Sequence, residues 1–370
     1  MRTYGAHGGE NQLSRYFSSD PAGNVHEHFA FVFRDRDCAE LFQRRRGRVV
    51  LHNLIGLSIS PRQNPWLELL QLMPFLPFAQ LRLLWLARSL NARVCVVHGV
   101  QAALIAWPTA LLMRRHAGFL YVHRITKATG RNPALRWLYA PYRFLAGVSE
   151  AVTRSLEGLA PGERLVTLAN GVDWPAITGA PAQIDNGHAS GKRLISVGRL
   201  LAHKRQDILI RAFAKLSRSR PELVLWIVGD GAHRASLEAE AARLGVGDRV
   251  VFWGHRSDVP KLLAAATVFV NASAWEGMSN AVLEAMALGL PSVVCDAPGV
   301  TECHIPGQTG IVAPPDADAM ATAIATLLDD AGSAKRMGEA ARERVRVHYS
   351  TQANRQRFLD VYARLAEGVS

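Results

Sequence analysis

The sequence predicts an α/β fold of two Rossmann-like domains, each built on a parallel sheet, facing each other across a cleft. Three observations predict it. Short apolar runs alternate with helical patterns along most of the chain, and those runs are apolar on both faces, as strands covered by helices on either side must be. A stretch rich in Gly, Pro and small polar residues then parts two such series. The chain has 370 residues, 49% of them hydrophobic and 20% charged, which is a globular composition long enough for two full cores.

In the first half, strands are expected near 29–33, 49–52, 94–98, 119–123, 145–148 and 165–168, with helices between several of them. Residues 94–113 carry no charge and are long enough to raise the question of a membrane span. His98, Gly99, Gln101 and Pro108 interrupt the run, so a strand, a turn and a helix account for it better. Asn64-Pro65-Trp66 reads as a helix start, followed by an apolar stretch broken at Pro74 and Pro77. With Arg82, Arg88, Arg93 and the run Arg44-Arg45-Arg46-Gly47-Arg48, that stretch reads either as a face for an anionic membrane surface or as a core helix pair beside a solvated loop. Residues 1–173 form the expected first domain, and 174–192, aperiodic and rich in Gly and Pro, the linker.

The second domain, 193–350, reads as a cleaner βα repeat. Strands are expected at 193–197, 223–228, 250–253, 268–271 and 292–295; helices at 207–216, 234–244, 259–266, from Ser279 onward and at 316–328. Asp207 and Asp258 stand where N-caps belong. A last helix is expected at about 351–366, within a C-terminal segment 351–370.

Charge and cysteine usage narrow the function classes. Residues 1–190 hold 21 Arg or Lys against 12 Asp or Glu, and the remainder 22 against 19, so an acidic partner is expected at the first half. Nucleic acid is not expected, because no zinc finger, recognition helix or RNA-stacking motif accompanies the charge. Cys38, Cys95, Cys295 and Cys303 form no CxxC pair and fit a reducing compartment, hence a cytoplasmic protein, with peripheral contact to the inner face of a membrane as an option. Cys303-His304 has no second ligand pair in view, so a structural role is preferred over a metal site. Met1 leads into Arg2-Thr3-Tyr4 without an apolar core, and no signal peptide is expected.

The most informative stretch runs from Trp275 through Glu276-Gly277-Met278-Ser279 to Glu284 and Ala287. It places two acids with seven residues between them around an apolar segment that offers them no charge partner. Ser279 reads as an N-cap, and the helix that follows is apolar apart from Glu284. A buried carboxylate there needs a neighbouring Arg or Lys, or the hydroxyls of a polar ligand. Glu276 precedes the helix, whose free N–H groups favour an anion; acid, anion site and acid suit a polyol joined to a phosphate.

This segment resembles the signature of retaining glycosyltransferase family 4, of GT-B fold. Val197-Gly198-Arg199-Leu200 with Lys204 resembles the family's Gly-Arg pair and following lysine, Asn170-Gly171-Val172-Asp173 its interdomain motif, and Gly8-Gly9 its N-terminal glycine pair. The resemblance implies a metal-independent hexosyltransferase, without cofactor, that moves a hexose from a nucleotide-diphosphate sugar to a glycan or lipid-linked acceptor. A uridine donor is slightly preferred to GDP-mannose, and polysaccharide, lipopolysaccharide or glycolipid synthesis is the expected setting. It further implies Glu276 at the sugar hydroxyls, Glu284 at the ribose, and Arg199 and Lys204 at the diphosphate with the backbone N–H groups of Met278 and Ser279. Gly9, Gly198 and Gly277 would approach the donor through backbone. From Arg199 and Lys204 themselves, a structural role is equally legible: Arg199 neutralising Glu284 and Lys204 merely solvated.

His123 ends a strand at a position resembling the family's histidine beside the reacting carbon. His98, Arg124 and Lys127 are weaker acceptor-side candidates. At the N-terminus the chain departs from the pattern, since only Thr3 and Tyr4 precede the glycine turn, and Glu10 is shifted, so no catalytic role is carried to Glu10. Gly229-Asp230-Gly231 reads as a tight turn, near the nucleotide only by analogy. A non-catalytic sugar-nucleotide binder, a GT-B epimerase or an inverting transferase are the competing readings.

Overall fold

The computed structural model describes residues 28–33, 50–55, 73–124, 135–173, 177, 191–367 and 369. The chain divides into two compact units, Met1–Asn170 with Thr351–Ser370, and Gly171–Ser350. Most of the residues read as linker, together with Gly9, Lys127, the 44–48 basic run and the helix start at Asn64, lie outside the described residues.

In the first unit, β1 (His28–Phe33) and β2 (Val50–Ile55) pair in parallel as a two-stranded sheet. A second parallel sheet runs β3 (Val94–His98), β4 (Gly118–His123), β5 (Phe144–Gly147) and β6 (Leu165–Thr167) in that order. All six residues of β4 are buried, as a strand with covered faces on both sides must be. Tyr121, Tyr139 and Tyr142 pack together in the core below it. Helix α1 (Leu76–Ser89) packs on α2 (Val100–Leu112), so the uncharged 94–113 run is a strand, the Gly99 turn and a helix. No helix among the described residues is long and apolar enough to cross a membrane.

Pro108 sits inside α2 and has no N–H for the Leu104 carbonyl one turn earlier. The Gln80 side chain of α1 donates to that carbonyl at 3.2 Å, filling the gap and tying the two helices together. Gln80→Leu therefore leaves a part-buried acceptor unmet, and urea denaturation should show a loss of about 1 kcal/mol.

The remaining helices of this unit are short, α3 (Arg136–Tyr139) and α4 (Glu150–Arg154), apart from α11 (Thr351–Ala366), which packs on β3 and β4. Its approach is close: a Cβ on Gly118 would lie 2.7 Å from Leu365 Cβ.

The second unit holds one six-stranded parallel sheet in the order β12-β11-β10-β7-β8-β9. Its strands are β7 (Arg193–Val197), β8 (Val224–Val228), β9 (Val250–Gly254), β10 (Val268–Asn271), β11 (Ser292–Cys295) and β12 (Ile311–Ala313). Between them lie α5 (Gln206–Leu216), α6 (Arg234–Arg243), α7 (Val259–Ala264), α8 (Asn280–Ala287), α9 (Ala317–Asp329) and α10 (Ala331–His348). The chain starts at the central β7, builds outward through β8 and β9, then returns to lay β10 on the other side of β7. The strand order thus reverses between β7 and β10, and a sheet of this kind opens a crevice at the carboxyl ends of the two strands that flank the reversal.

Candidate functional site

Two loops leave that crevice: one joins β7 to α5 and carries Gly198, Arg199 and Lys204; the other joins β10 to α8 and carries Glu276 to Ser279. The fold brings them together by a ladder of contacts. The Ala274 N–H donates to the His203 carbonyl at 2.7 Å, and the His203 and Trp275 rings stack at 4.2 Å with planes 17° apart. One residue further along both loops, the Lys204 ammonium donates to Glu276 Oε1, which also accepts from Ser273 Oγ at 2.8 Å. Both side chains of that pair are largely withdrawn from solvent, 16% exposed for Lys204 and 12% for Glu276.

The Lys204–Glu276 pair is a contact that the sequence does not announce: the apolar segment itself offers the acids no charge partner, and Lys204 reads there as a diphosphate ligand or as merely solvated. The partner comes from 72 residues away, on a long stem reaching across the crevice, so nothing local to the Glu276 segment could reveal it. Arg199 is exposed and forms no ion pair among the described residues. Its carbonyl accepts from Gln206 Nε2 at 3.1 Å, which fixes the backbone while leaving the guanidinium reaching outward.

Four further contacts hold these loops. A Cβ on Gly229 would lie 2.0 Å from the Gly198 carbonyl oxygen, and Leu200 donates to the Asp230 carbonyl at 2.9 Å. The Gly229-Asp230-Gly231 turn therefore supports the β7 loop from behind. Arg205 adopts the left-handed conformation, φ 51°, between Lys204 and α5, and donates to the Pro315 carbonyl at 3.3 Å. The Glu276 N–H donates to the Pro298 carbonyl at 2.9 Å, beside Gly299.

Ser279 occupies the N-cap position of α8, but its side chain does not cap the helix. Its hydroxyl faces the Asn271 amide, Nδ2 to Oγ 3.4 Å, so Ser279 does not satisfy the first-turn N–H groups. Gly277 and Met278 are buried in the preceding turn. Glu284 was expected to be buried on this helix and is instead half-buried. It shares a stripe with Asn280, Ala281 and Leu288, all partly exposed, while Val282, Leu283, Ala285 and Met286 turn into the core. The eight-residue helix is thus apolar through two faces and open along the third.

The first unit assembles its own cluster. His98 and His123 end the neighbouring strands β3 and β4, and Arg124 follows directly. His123 is buried, its Nδ1 2.9 Å from the Tyr121 hydroxyl. Burial, with the Arg124 cation beside it, holds His98 well below the usual imidazole range, as a neutral ring. Its Nδ1 is buried without a hydrogen-bond partner among the described residues.

No group of three or more His, Cys, Asp or Glu that could hold a metal occurs among the described residues. Cys303 and His304 are both buried. Burial pushes the Cys303 thiol up to about 12, and His304 bonds to the Thr309 carbonyl at 3.2 Å. Burial lowers His304 to about 4. Between that value and the ordinary 6.5 the unfolded chain binds the extra proton, so stability falls as the pH drops through this window. From pH 7 to pH 5 the His304 contribution to that loss is about 2 kcal/mol. Guanidinium unfolding of the native chain beside His304→Gln checks it, since the variant should lack that part of the slope.

Comparison with known proteins meets this geometry. Residues 184–344 match the family described as Glycosyl transferases group 1. The lipopolysaccharide core biosynthesis glycosyltransferase LpsE of Rhizobium meliloti is 33% identical over 171 residues, 46% of this chain and 49% of that protein. The GDP-mannose-dependent alpha-(1-6)-phosphatidylinositol monomannoside mannosyltransferase of Mycolicibacterium smegmatis is 34% identical over 205 residues, 51% and 54% of the two chains. The chain thus aligns with about half the length of these curated relatives. The crystal structure of Anabaena Alr3699/HepE in complex with UDP matches with a TM-score of 0.82 at 20% identity, over 98% of both chains. Sucrose-phosphate synthase from Thermosynechococcus elongatus matches with 0.75 at 20%, over 96% of this chain and 92% of that one. The likeness to these two structures is one of fold, which is GT-B.

Proposed function

Because residues 184–344 match the glycosyl transferases group 1 family, we propose that the protein moves a hexose from a nucleotide-diphosphate sugar to a glycan or lipid-linked acceptor, with retention at the anomeric carbon. The observation that carries this reading is the pairing of Lys204 with Glu276 across the crevice at the strand-order reversal, with Arg199 on the Lys204 loop and the start of α8, which Ser279 does not cap, just beyond Glu276.

In this reading the diphosphate lies against Arg199 and the α8 N-terminus, where fixed N–H dipoles and a cation meet the charge that grows on the leaving oxygen. Lys204 turns from Glu276 to the phosphate as the donor enters, and Glu276 then accepts from sugar hydroxyls. Glu284, on the open stripe of α8, accepts from the ribose. The acceptor oxygen attacks the anomeric carbon from the face the nucleotide leaves. The carbon–oxygen bond to phosphate breaks with its electron pair going to the phosphate, and the acceptor's proton ends on that same oxygen. The cationic side chains supply the charge that a divalent ion would supply elsewhere, so activity should survive EDTA.

A uridine donor is favoured over a guanosine donor, in keeping with the full-length likeness to a protein crystallised with UDP, although the matched mannosyltransferase uses GDP-mannose. The test is a panel of nucleotide sugars with membrane and glycan extracts, followed by proton NMR of the product. A product with the donor's anomeric configuration supports the reading. Inversion, epimerised donor without transfer, or nucleotide binding without nucleotide release would replace it with one of the rival GT-B functions.

A further inference from the structure

Helix α1 carries more apolar surface than its fold uses. Ala79, Leu86 and Ala87 are buried. On the other side Phe78, Leu81 and Trp85 stand 55%, 68% and 67% exposed, in a row spaced by three and four residues with Arg82 and Arg88 beside them. A helix apolar on all sides is ordinarily buried, and one that keeps an apolar stripe in water exposes a surface meant for something else. Leu81, Leu84, Trp85, Arg88 and Ser89 also line a surface groove of about 410 Å³, which sets a guanidinium and a hydroxyl at the edge of an apolar wall.

The charge of the stretch of chain that carries this face says what could cover it. Residues 69–149 contain ten Arg or Lys and not one Asp or Glu. A second copy docking here through the same face would set Arg82 and Arg88 against an equally cationic surface with no acid of that segment to pair them. An occupant must therefore be apolar and anionic together. Indole at the boundary of water and hydrocarbon, with arginines at the level of phosphate, is the pattern of a membrane-surface helix.

We propose that the exposed face of α1 docks the protein on a membrane surface rich in anionic lipid headgroups, with Phe78, Leu81 and Trp85 entering the headgroup boundary and Arg82 and Arg88 meeting lipid phosphates. The proposal stands on this surface alone and its test uses neither donor nor acceptor, so its failure leaves the transferase reading untouched.

The experiment is sedimentation of the full chain with vesicles of phosphatidylcholine alone and of phosphatidylcholine mixed with phosphatidylglycerol. The native chain should bind the mixed vesicles and bind them less as salt rises. Leu81→Ser with Trp85→Ser, and separately Arg82→Ser with Arg88→Ser, should each lower the partition coefficient about tenfold or more. All four positions are exposed, and Arg82 gives up only a long 3.5 Å hydrogen bond to the Leu54 carbonyl, so thermal melts should stay nearly unchanged and show that the variants fold. Equal binding to both kinds of vesicle, no binding to either, or native-like binding by the variants would overturn the proposal. So would a native dimer, seen by light scattering, that Leu81→Ser with Trp85→Ser makes monomeric, because the face would then join two copies of the chain.

Discussion

Glu276→Ala should lower turnover by about a hundredfold or more while the protein stays folded, the scale of loss seen when one preorganised charge-stabilising group is removed. Arg199→Ala should do the same with little effect on stability, since its exposed guanidinium forms no ion pair among the described residues. Lys204 behaves differently. Its ammonium is the counter-charge of a carboxylate only 12% exposed, so Lys204→Met leaves Glu276 with Ser273 alone and should cost about 2 kcal/mol in urea denaturation as well as activity. Replacing both, Lys204→Met with Glu276→Leu, should restore much of the stability and none of the turnover. Initial rates and unfolding curves on the same four proteins check this pattern, and a double variant that regains activity would show that the pair only holds the fold together.

Gly299→Ala should damage stability and turnover together. Gly299 has φ +72°, and a Cβ there would lie 2.2 Å from the Glu276 carbonyl oxygen and 2.6 Å from that of Gly277. Those oxygens belong to backbone and cannot swing aside, so the loop that carries Glu276 must move. A loss of about 3 kcal/mol is expected, from strain in a left-handed conformation plus the clash. Gly307→Ala is the control. It shares a left-handed backbone, φ +74°, but a Cβ there meets nothing within 4 Å, so it should cost only about 1–2 kcal/mol and leave turnover near normal. Equal effects of the two changes would mean that contact with the Glu276 loop is unimportant.

Much of this architecture was legible before any coordinates, for a physical reason. Strands such as β4, β8 and β10 are buried along their whole length, so their apolar runs announce them; the expected caps are less faithful, since Asp207 lies inside the first turn of α5 behind Arg205 and Asp258 stands at the N-cap of α7 without a cap hydrogen bond. Helix α10 was not foreseen. Its buried positions are Ala334, Gly338, Ala341 and Val345, three of them so small that the stripe is lost among Arg and Glu. Strand β12 spans only Ile311–Ala313, too short for alternation to register.

The site divides along the same line. The paired acids and the Gly-Arg-Lys pattern are local and could be read; what joins them could not. Lys204 meets Glu276, and His203 meets Trp275, only because the strand order reverses and sets two distant loops side by side. The exposure of Glu284 was misjudged because apolar neighbours in sequence were taken for neighbours in space, although its flanking stripe lies open.

The most direct test of the account is calorimetric titration of the full chain with UDP- and GDP-sugars, repeated on Glu276→Ala, Arg199→Ala and Glu284→Ala. The account predicts saturable binding of at least one nucleotide sugar to the native chain, weakened about tenfold or more by each change, a loss of about 1.4 kcal/mol. Binding that all three variants retain at native strength would contradict it, as would the absence of binding to any nucleotide sugar at millimolar concentration.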